Sequence, residues 1–325
     1  MTAVTEYKVD AVVIGRNEGQ RLVDGLASLS GHVRRVVYVD SGSTDHSVQN
    51  ARAAGAIVID LDMTRPFTAA RARNAGLEAL ADDPPEFVQF LDGDCALDEG
   101  WTRAALAAFA QHPRAVVVCG RRQERFPDRS IYNLMADREW NTPIGPALAC
   151  GGDALMRYAA VKSAGGYRAD LIAGEEPELC LRLRRDGGEI WRIDALMTHH
   201  DAALTRFGQW WKRAVRAGHA FAEGAYLHGA APERHWIKER NRAALWGGLL
   251  PVAILIASAI NPVFLAVVLI YPAQILRLWA RSGRGPHDLK IAALTVIGKF
   301  AEAQGIFGFW KGRITGRRRG LIEYK

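Results

Sequence analysis

Residues Phe87–Cys95 read Phe-Val-Gln-Phe-Leu-Asp-Gly-Asp-Cys. An apolar run of strand type ends in two aspartates one residue apart, Asp92 and Asp94. Two carboxylates at the mouth of a buried strand are costly unless a positive charge lies between them. A hard divalent cation, Mg2+ or Mn2+, itself bound to phosphate oxygens, meets that need. Asp-Gly is also common turn chemistry, so the motif alone leaves a plain turn open. Three further signals stand at or just beyond predicted strands: Ile14-Gly15-Arg16-Asn17-Glu18, Tyr38-Val39-Asp40-Ser41-Gly42-Ser43-Thr44-Asp45, and Ala70-Arg71-Ala72-Arg73-Asn74-Ala75-Gly76-Leu77. Asp40 offers acceptors to a base or ribose, and Arg16, Arg71 or Arg73 offers a guanidinium to a diphosphate. Each has a plainer counterpart: Asp45 as a helix cap, Arg71 as a solvated helix charge. Independent turns have no reason to supply base, ribose, phosphate and metal ligands at one sheet edge, where an open α/β sheet binds its ligands.

The elements that must position these residues alternate. Apolar runs at Val9–Ile14, Arg35–Val39, Ile57–Leu61, Phe87–Leu91 and Ala115–Cys119 predict strands. Ser43-Thr44-Asp45 predicts an N-cap for a helix to about Ala54, and Thr68–Leu80 reads as a second helix. Alternating βαβ units predict an α/β fold with a largely parallel, Rossmann-like sheet and helices on both faces. From Arg121 to Cys150 the pattern is irregular, with Pro127, Pro143 and Pro146. Helical spacing returns after Pro177 and over Phe207–Tyr226, and Ile190–Ile193 predicts another strand.

Val-Val-Ile-Gly-Arg-Asn-Glu, Val-Asp-Ser-Gly-Ser-Thr-Asp, Ala-Arg-Asn-Ala-Gly and Phe-Leu-Asp-Gly-Asp, in that order, resemble the nucleotide-sugar half of family-2 glycosyltransferases with the A-type fold. The resemblance covers roughly residues 9 to 230. It implies a donor site drawn from Arg16, Asn17, Glu18, Asp40, Ser43, Arg73, Asn74 and Asp92. Asp40 would meet the nucleobase, Asp92 the ribose side, and Asp94 the metal, with Asp92 and His200 as further ligand candidates. Cys150-Gly151-Gly152-Asp153-Ala154-Leu155-Met156-Arg157 and Ala164-Gly165-Gly166-Tyr167 resemble the family's acceptor-side segment, marking Gly152 and Asp153.

Ala173-Gly174-Glu175-Glu176-Pro177-Glu178 departs from the family. The family carries Glu-Asp here, and its second acid is the general base; this chain has Glu176, one methylene longer. The departure leaves open whether Glu175 or Glu176 acts, with Glu176 favoured. Pro177 fits the first helical position, which would make Glu176 the N-cap and favour its ionised form. His199-His200-Asp201 follows a predicted strand, and His200 is either a late metal ligand or structural. Gln209-Trp210-Trp211-Lys212-Arg213 stands where processive members carry Gln-x-x-Arg-Trp, a pattern absent here, which argues for one sugar per encounter. Arg213 or Lys212 would reach the diphosphate, and Trp210 would stack on a sugar or pack at a membrane surface.

Ala243–Ile260 and Val263–Leu276 carry no charge and are separated by Asn261-Pro262. A membrane span takes about 20 apolar residues, with about 17 as the lower limit, so the pair is long enough for a tight transmembrane hairpin. Ile291–Trp310 is read as an amphipathic helix in the interface. A net charge of +7 hides an asymmetry. From Arg277 onward eleven Lys/Arg face three Asp/Glu, while the remaining 31 and 32 nearly cancel. With the basic tail after apolar spans, membrane lipids are the expected partner and nucleic acid is not. Four scattered cysteines fit a reduced compartment, and the first ten residues lack the apolar core of a secretory signal.

The expected organisation is a cytoplasmic catalytic domain at 1–235 (donor half about 9–120, acceptor half about 121–235), a hairpin at 243–280 and a basic tail at 281–325. The catalytic domain would face the cytoplasm at the inner membrane. The expected activity is inverting transfer of a sugar from a nucleoside diphosphate to a hydroxyl of a lipid-linked or other saccharide acceptor, in exopolysaccharide or envelope glycan synthesis. Rival expectations are a polyprenyl-phosphate glycosyltransferase and a non-catalytic nucleotide-sugar-binding scaffold.

Overall fold

The computed structural model describes residues 7–316. The triple arginine of the expected tail, Arg317–Arg319, lies outside them. Two compact units are present. The first takes in the described residues up to Pro127 together with Ala136–Ala202; the second takes Asp128–Met135 and the described residues from Ala203. The helix at 207–228, expected in the front domain, thus falls in the second unit.

The first unit is built on one mixed sheet. Its strands are β1 (Val9–Gly15), β2 (Val36–Asp40), β3 (Ile57–Asp60), β4 (Phe87–Asp92), β5 (Cys95–Leu97), β6 (Ala115–Glu124), β7 (Gly145–Ala147), β8 (Ala154–Arg157) and β9 (Glu189–His200). They run in the order β3-β2-β1-β4-β8-β6-β9-β5, with β7 on β9. The donor half, β3 to β4, is parallel as expected. β8 enters antiparallel to both β4 and β6, and β5 and β7 pair antiparallel with β9, so the other half is mixed rather than parallel.

Helices α1 (Gln20–Ser28), α2 (Ser47–Ala53), α3 (Ala69–Ala79), α4 (Trp101–Gln111), α5 (Ile131–Trp140), α6 (Tyr158–Ser163) and α7 (Glu175–Arg185) complete the fold around the sheet, α5 starting in the second unit. Val12, Val37, Phe90, Val118 and Leu155 are fully buried. Strands covered on both faces read as continuous apolar runs, which is why β1, β2 and β4 were legible. Thr68 caps α3, its hydroxyl accepting from the Arg71 N–H at 3.1 Å. α2 starts two residues later than Asp45, whose carboxylate instead accepts from the Ser47 N–H at 2.9 Å. Register aligns the strand ends: Gly15 lies beside Asp40 and Ile14 beside Asp92. The acids therefore share one sheet edge because the strands end together.

The second unit is helical: α8 (Phe207–His228), α9 (Ile237–Ala244), α10 (Leu250–Ile260), α11 (Ile270–Ala280) and α12 (Pro286–Ile314). Ile237–Ile260 and Pro262–Ala280 are each long and apolar enough to cross a membrane, and few of their residues are buried within the protein. Leu255, Ile256, Ile260, Val263 and Leu269 are all exposed. The segment expected to lie in the interface is part of α12, which packs along α8 through glycines. A Cβ on Gly218 would sit 2.0 Å from the Glu302 carbonyl oxygen, and one on Gly305 2.0 Å from that of Val215. Gly218→Leu is therefore expected to destabilise this unit by about 3 kcal/mol or more through overpacking. Gly208→Ala, at a position with open space around it, should be neutral. Melting temperatures of the two variants in detergent check this.

Candidate active site

Arg73 is the hub. It projects from α3 toward the end of β4, is 3% exposed, and meets three carboxylates. One terminal nitrogen lies 2.8 Å from Asp92 Oδ1; the other lies 2.7 Å from Glu176 Oε1 and 3.1 Å from Glu175 Oε1. Its guanidinium also lies over the Tyr167 ring, 5.5 Å from the centroid. A second guanidinium, Arg122 on β6, reaches Asp92 Oδ2 at 3.3 Å and Asp153 Oδ2 at 2.8 Å. Asp153 is fully buried and takes a further hydrogen bond from Thr198 at 2.7 Å. Backbone alone fits between the two hubs at Gly152, where a Cβ would stand 2.6 Å from Arg73 and 2.7 Å from Asp92.

Four carboxylates thus share two guanidinium groups in a largely buried cluster. The imbalance falls on Glu176. Burial pushes its carboxyl up to about 7; Arg73 opposes this, and the neighbouring Glu175 and Asp92 charges reinforce it. The same carboxylates hold Arg73 charged despite its burial. Glu175 and Glu176 open α7, but the cap is Gly174 in the left-handed region (φ 83°), not Glu176, and Pro177 is the third helical residue. Proline is tolerated there because first-turn N–H groups have no intrahelical acceptor. Glu178 turns away and pairs with Arg182 at 2.7 Å.

A second cluster lies just beyond. Asp94 Oδ2 is 3.3 Å from His200 Nε2, and both residues are buried. The ligand atoms of Asp94, Cys95 and His200 all lie within 4.8 Å of one another. Side chains alternate along β9, so His199 faces Asp98 at 3.6 Å while His200 faces Asp94. An oxygen and an imidazole nitrogen suit a hard or borderline divalent cation. Cys95 is a poor third ligand for such a cation, because a thiol is a soft donor that suits softer metals. A second grouping, Asp92, Cys95 and Asp153, already holds Arg122. Asp94 and His200 therefore fit a metal better than Asp92 does.

The donor edge is preorganised. Asp40, 3% exposed, accepts from Tyr38 OH, Ser43 Oγ and the N–H groups of Gly42 and Ser43, all within 2.9 Å. Asn17 holds a positive φ of 56° and accepts from Thr44 N–H at 2.7 Å, while Ser43 Oγ accepts from its own N–H at 2.9 Å. These residues brace two loops against each other. Arg16 is exposed on that rim, and Glu18 pairs with Arg21 at 2.8 Å.

Several expected contacts are placed elsewhere. Arg73 is saturated by carboxylates, so it organises acids rather than standing free for a diphosphate. Asn74 is spent on the backbone of Tyr167, donating at 2.7 Å and accepting at 2.8 Å. Asp153 is too buried to touch an acceptor and serves to hold Arg122. Trp210 is 3% exposed, packed against Tyr132 and Phe207, and has no face for a sugar; both it and Arg213 belong to the second unit. Sequence reasoning missed Arg122, Glu124 and Thr198. The available signal was Arg121-Arg122-Gln123-Glu124 continuing a strand that was closed too early at Cys119.

Residues 10–163 match the model of "Glycosyl transferase family 2". Over 232 residues the chain is 26% identical to the pre-mycofactocin glycosyltransferase of two Mycobacterium tuberculosis strains, a match covering 68% of this chain and 48% of that protein. The chain spans about half the length of the curated relatives it matches. The solved structure of the mannosyltransferase PcManGT from Pyrobaculum calidifontis, in complex with GDP-Man and Mn2+, superposes with a TM-score of 0.66. Identity is 20%, over 93% of this chain and 87% of that one. Residues 10–163 are thus similar to a glycosyl transferase family 2 domain, and the chain has the A-type glycosyltransferase fold.

Proposed function

We propose that this chain is a membrane-anchored, inverting glycosyltransferase that moves one sugar from a nucleoside diphosphate to an acceptor hydroxyl. The observation that carries the reading is Glu176, a largely buried carboxyl poised near 7 and held 2.7 Å from Arg73 in the cluster that also holds Asp92. A general base works best with its pKa near the working pH. Glu176 takes the acceptor proton, with Arg73 fixing its position and Glu175 raising its basicity. Asp40 and Ser43 shape the loop that receives the nucleobase, and Arg16 on the rim meets the diphosphate. A divalent cation held by Asp94 and His200 would supply positive charge for the departing diphosphate. The mannosyltransferase with GDP-Man and Mn2+ supports a nucleotide-sugar donor and a divalent metal.

The two apolar helices of membrane-spanning length support a membrane anchor and hence a lipid-linked saccharide acceptor. On this reading the catalytic unit faces the cytoplasm at the inner membrane and serves exopolysaccharide or envelope glycan synthesis. Nucleoside diphosphates with Mn2+ are expected to raise the melting temperature of the detergent-purified chain, and Asp94→Ala should abolish the metal-dependent part. Absence of any nucleotide-induced shift in the wild type would sink the reading. An acceptor that partitions only into water would remove its lipid-linked part.

A further inference from the structure

We propose that Glu124 is the positioning carboxylate of the metal centre: it holds the His200 ring so that Nδ1–H turns inward and the Nε2 lone pair is presented beside Asp94. The proposal rests on Asp94 and His200 being the metal ligands.

Parallel register sets Glu124 directly beside His200 at the ends of β6 and β9. The Glu124 side chain is fully buried, a costly position unless donors surround it. Two donors are backbone: Phe126 N–H reaches Oε1 and Ala202 N–H reaches Oε2, each at 3.0 Å. The His200 carbonyl accepts from Arg125 N–H at 2.8 Å, so both strand ends are fastened around this carboxylate. His200 Nδ1 lies 3.7 Å from Glu124 Oε2, is buried, and has no partner at hydrogen-bond distance. A shift of about 0.5–1 Å brings that contact to hydrogen-bond length. Trp140 stands edge-on to the imidazole, with centroids 4.7 Å apart, and restrains the ring.

A neutral histidine carries one N–H. With it on Nδ1, facing Glu124, the Nε2 lone pair faces the Asp94 carboxylate at 3.3 Å. Two acceptors that close repel unless a cation lies between them. The arrangement is the carboxylate–histidine–metal line in which the outer acid fixes tautomer and orientation. The rival is an imidazolium bridging two carboxylates with no metal role.

Mn2+ titration of the full chain in detergent, read by the electron paramagnetic resonance signal of free Mn2+, separates these. Asp94→Ala and His200→Ala should abolish binding, and Glu124→Ala should weaken it about 10–100-fold. His199→Ala should leave it unchanged. Loss in the Asp94 and His200 variants with wild-type affinity in Glu124→Ala overturns the present inference alone. Wild-type affinity in Asp94→Ala overturns the metal reading itself. Should Glu124→Ala misfold, 15N resonances of His200 in the wild type loaded with diamagnetic Mg2+ decide. A neutral ring protonated at Nδ1 is expected; an Nε2–H tautomer or an imidazolium overturns the inference.

Discussion

Glu176→Gln is expected to lower kcat by about 10²–10⁴-fold while making the protein more stable at a pH of about 8. The activity loss follows from removing the base. The stability gain follows from the cause of its raised pKa. The Glu176 carboxyl titrates near 7 in the folded chain against an ordinary value of 4.5, because burial and the charges of Glu175 and Asp92 outweigh Arg73. Between those values the folded state holds a proton that the unfolded state has released. Stability therefore falls as pH rises through that window, and the cost is complete above about 7. Glutamine carries no such cost, so the variant's melting temperature should exceed wild type at a pH of about 8 and converge with it near the lower end of the window. Wild-type kcat/KM should rise with pH up to about 7 and then level, as Glu176 ionises; the variant's should be flat there. A phosphate acceptor barely needs a base. Near-wild-type turnover in Glu176→Gln would therefore favour the polyprenyl-phosphate reading over a hydroxyl acceptor.

The donor half was legible because its information is local. An apolar run buried on both faces, followed by Asp92-Gly93-Asp94 or Asp40-Ser41-Gly42, announces both the strand and its chemistry within nine residues or fewer. The same locality failed at α7. Pro177 suggested a cap at Glu176, yet Gly174 supplies the left-handed turn and the helix begins two residues before the proline. What sequence could not show is partnership at a distance. Arg73 and Glu175 are 102 positions apart and Arg122 and Asp153 are 31 apart, and only the sheet order β4-β8-β6 brings the second guanidinium between its acids. The antiparallel entry of β8 is itself invisible in a four-residue strand. Trp210 stayed undecided for a related reason: an aromatic offers a sugar platform or a packing residue equally well until its neighbours, Tyr132 and Phe207, are known. Conversely, His200 over His199 became decidable once β9 ran through both residues, because alternation sends only one of them toward Asp94.

Arg73→Met should be the most destabilising single change at this site, costing about 3–5 kcal/mol at neutral pH, the usual price of breaking a buried ion pair from one side. Methionine fills much of the volume, so the loss reads charge rather than cavity. Asp92 keeps Arg122 at 3.3 Å, but Glu175 and Glu176 lose the guanidinium that holds them at 3.1 and 2.7 Å. The two acids are then left side by side without a counter-ion. The deficit should shrink as pH falls, because protonation removes the repulsion that Arg73 had offset. Residual activity should need a higher pH than wild type, since Arg73 is the group that lowers the Glu176 pKa. Arg73→Lys keeps the charge but replaces a fork that meets three carboxylates by a point charge, so it should fall between the two. Denaturant melts of the three proteins at a pH of about 5 and about 8, with pH–rate profiles of each, measure all of this. An Arg73→Met protein as stable as wild type at the higher pH would show that the acids do not depend on the guanidinium. Glu176 would then need another explanation for its place at the head of α7.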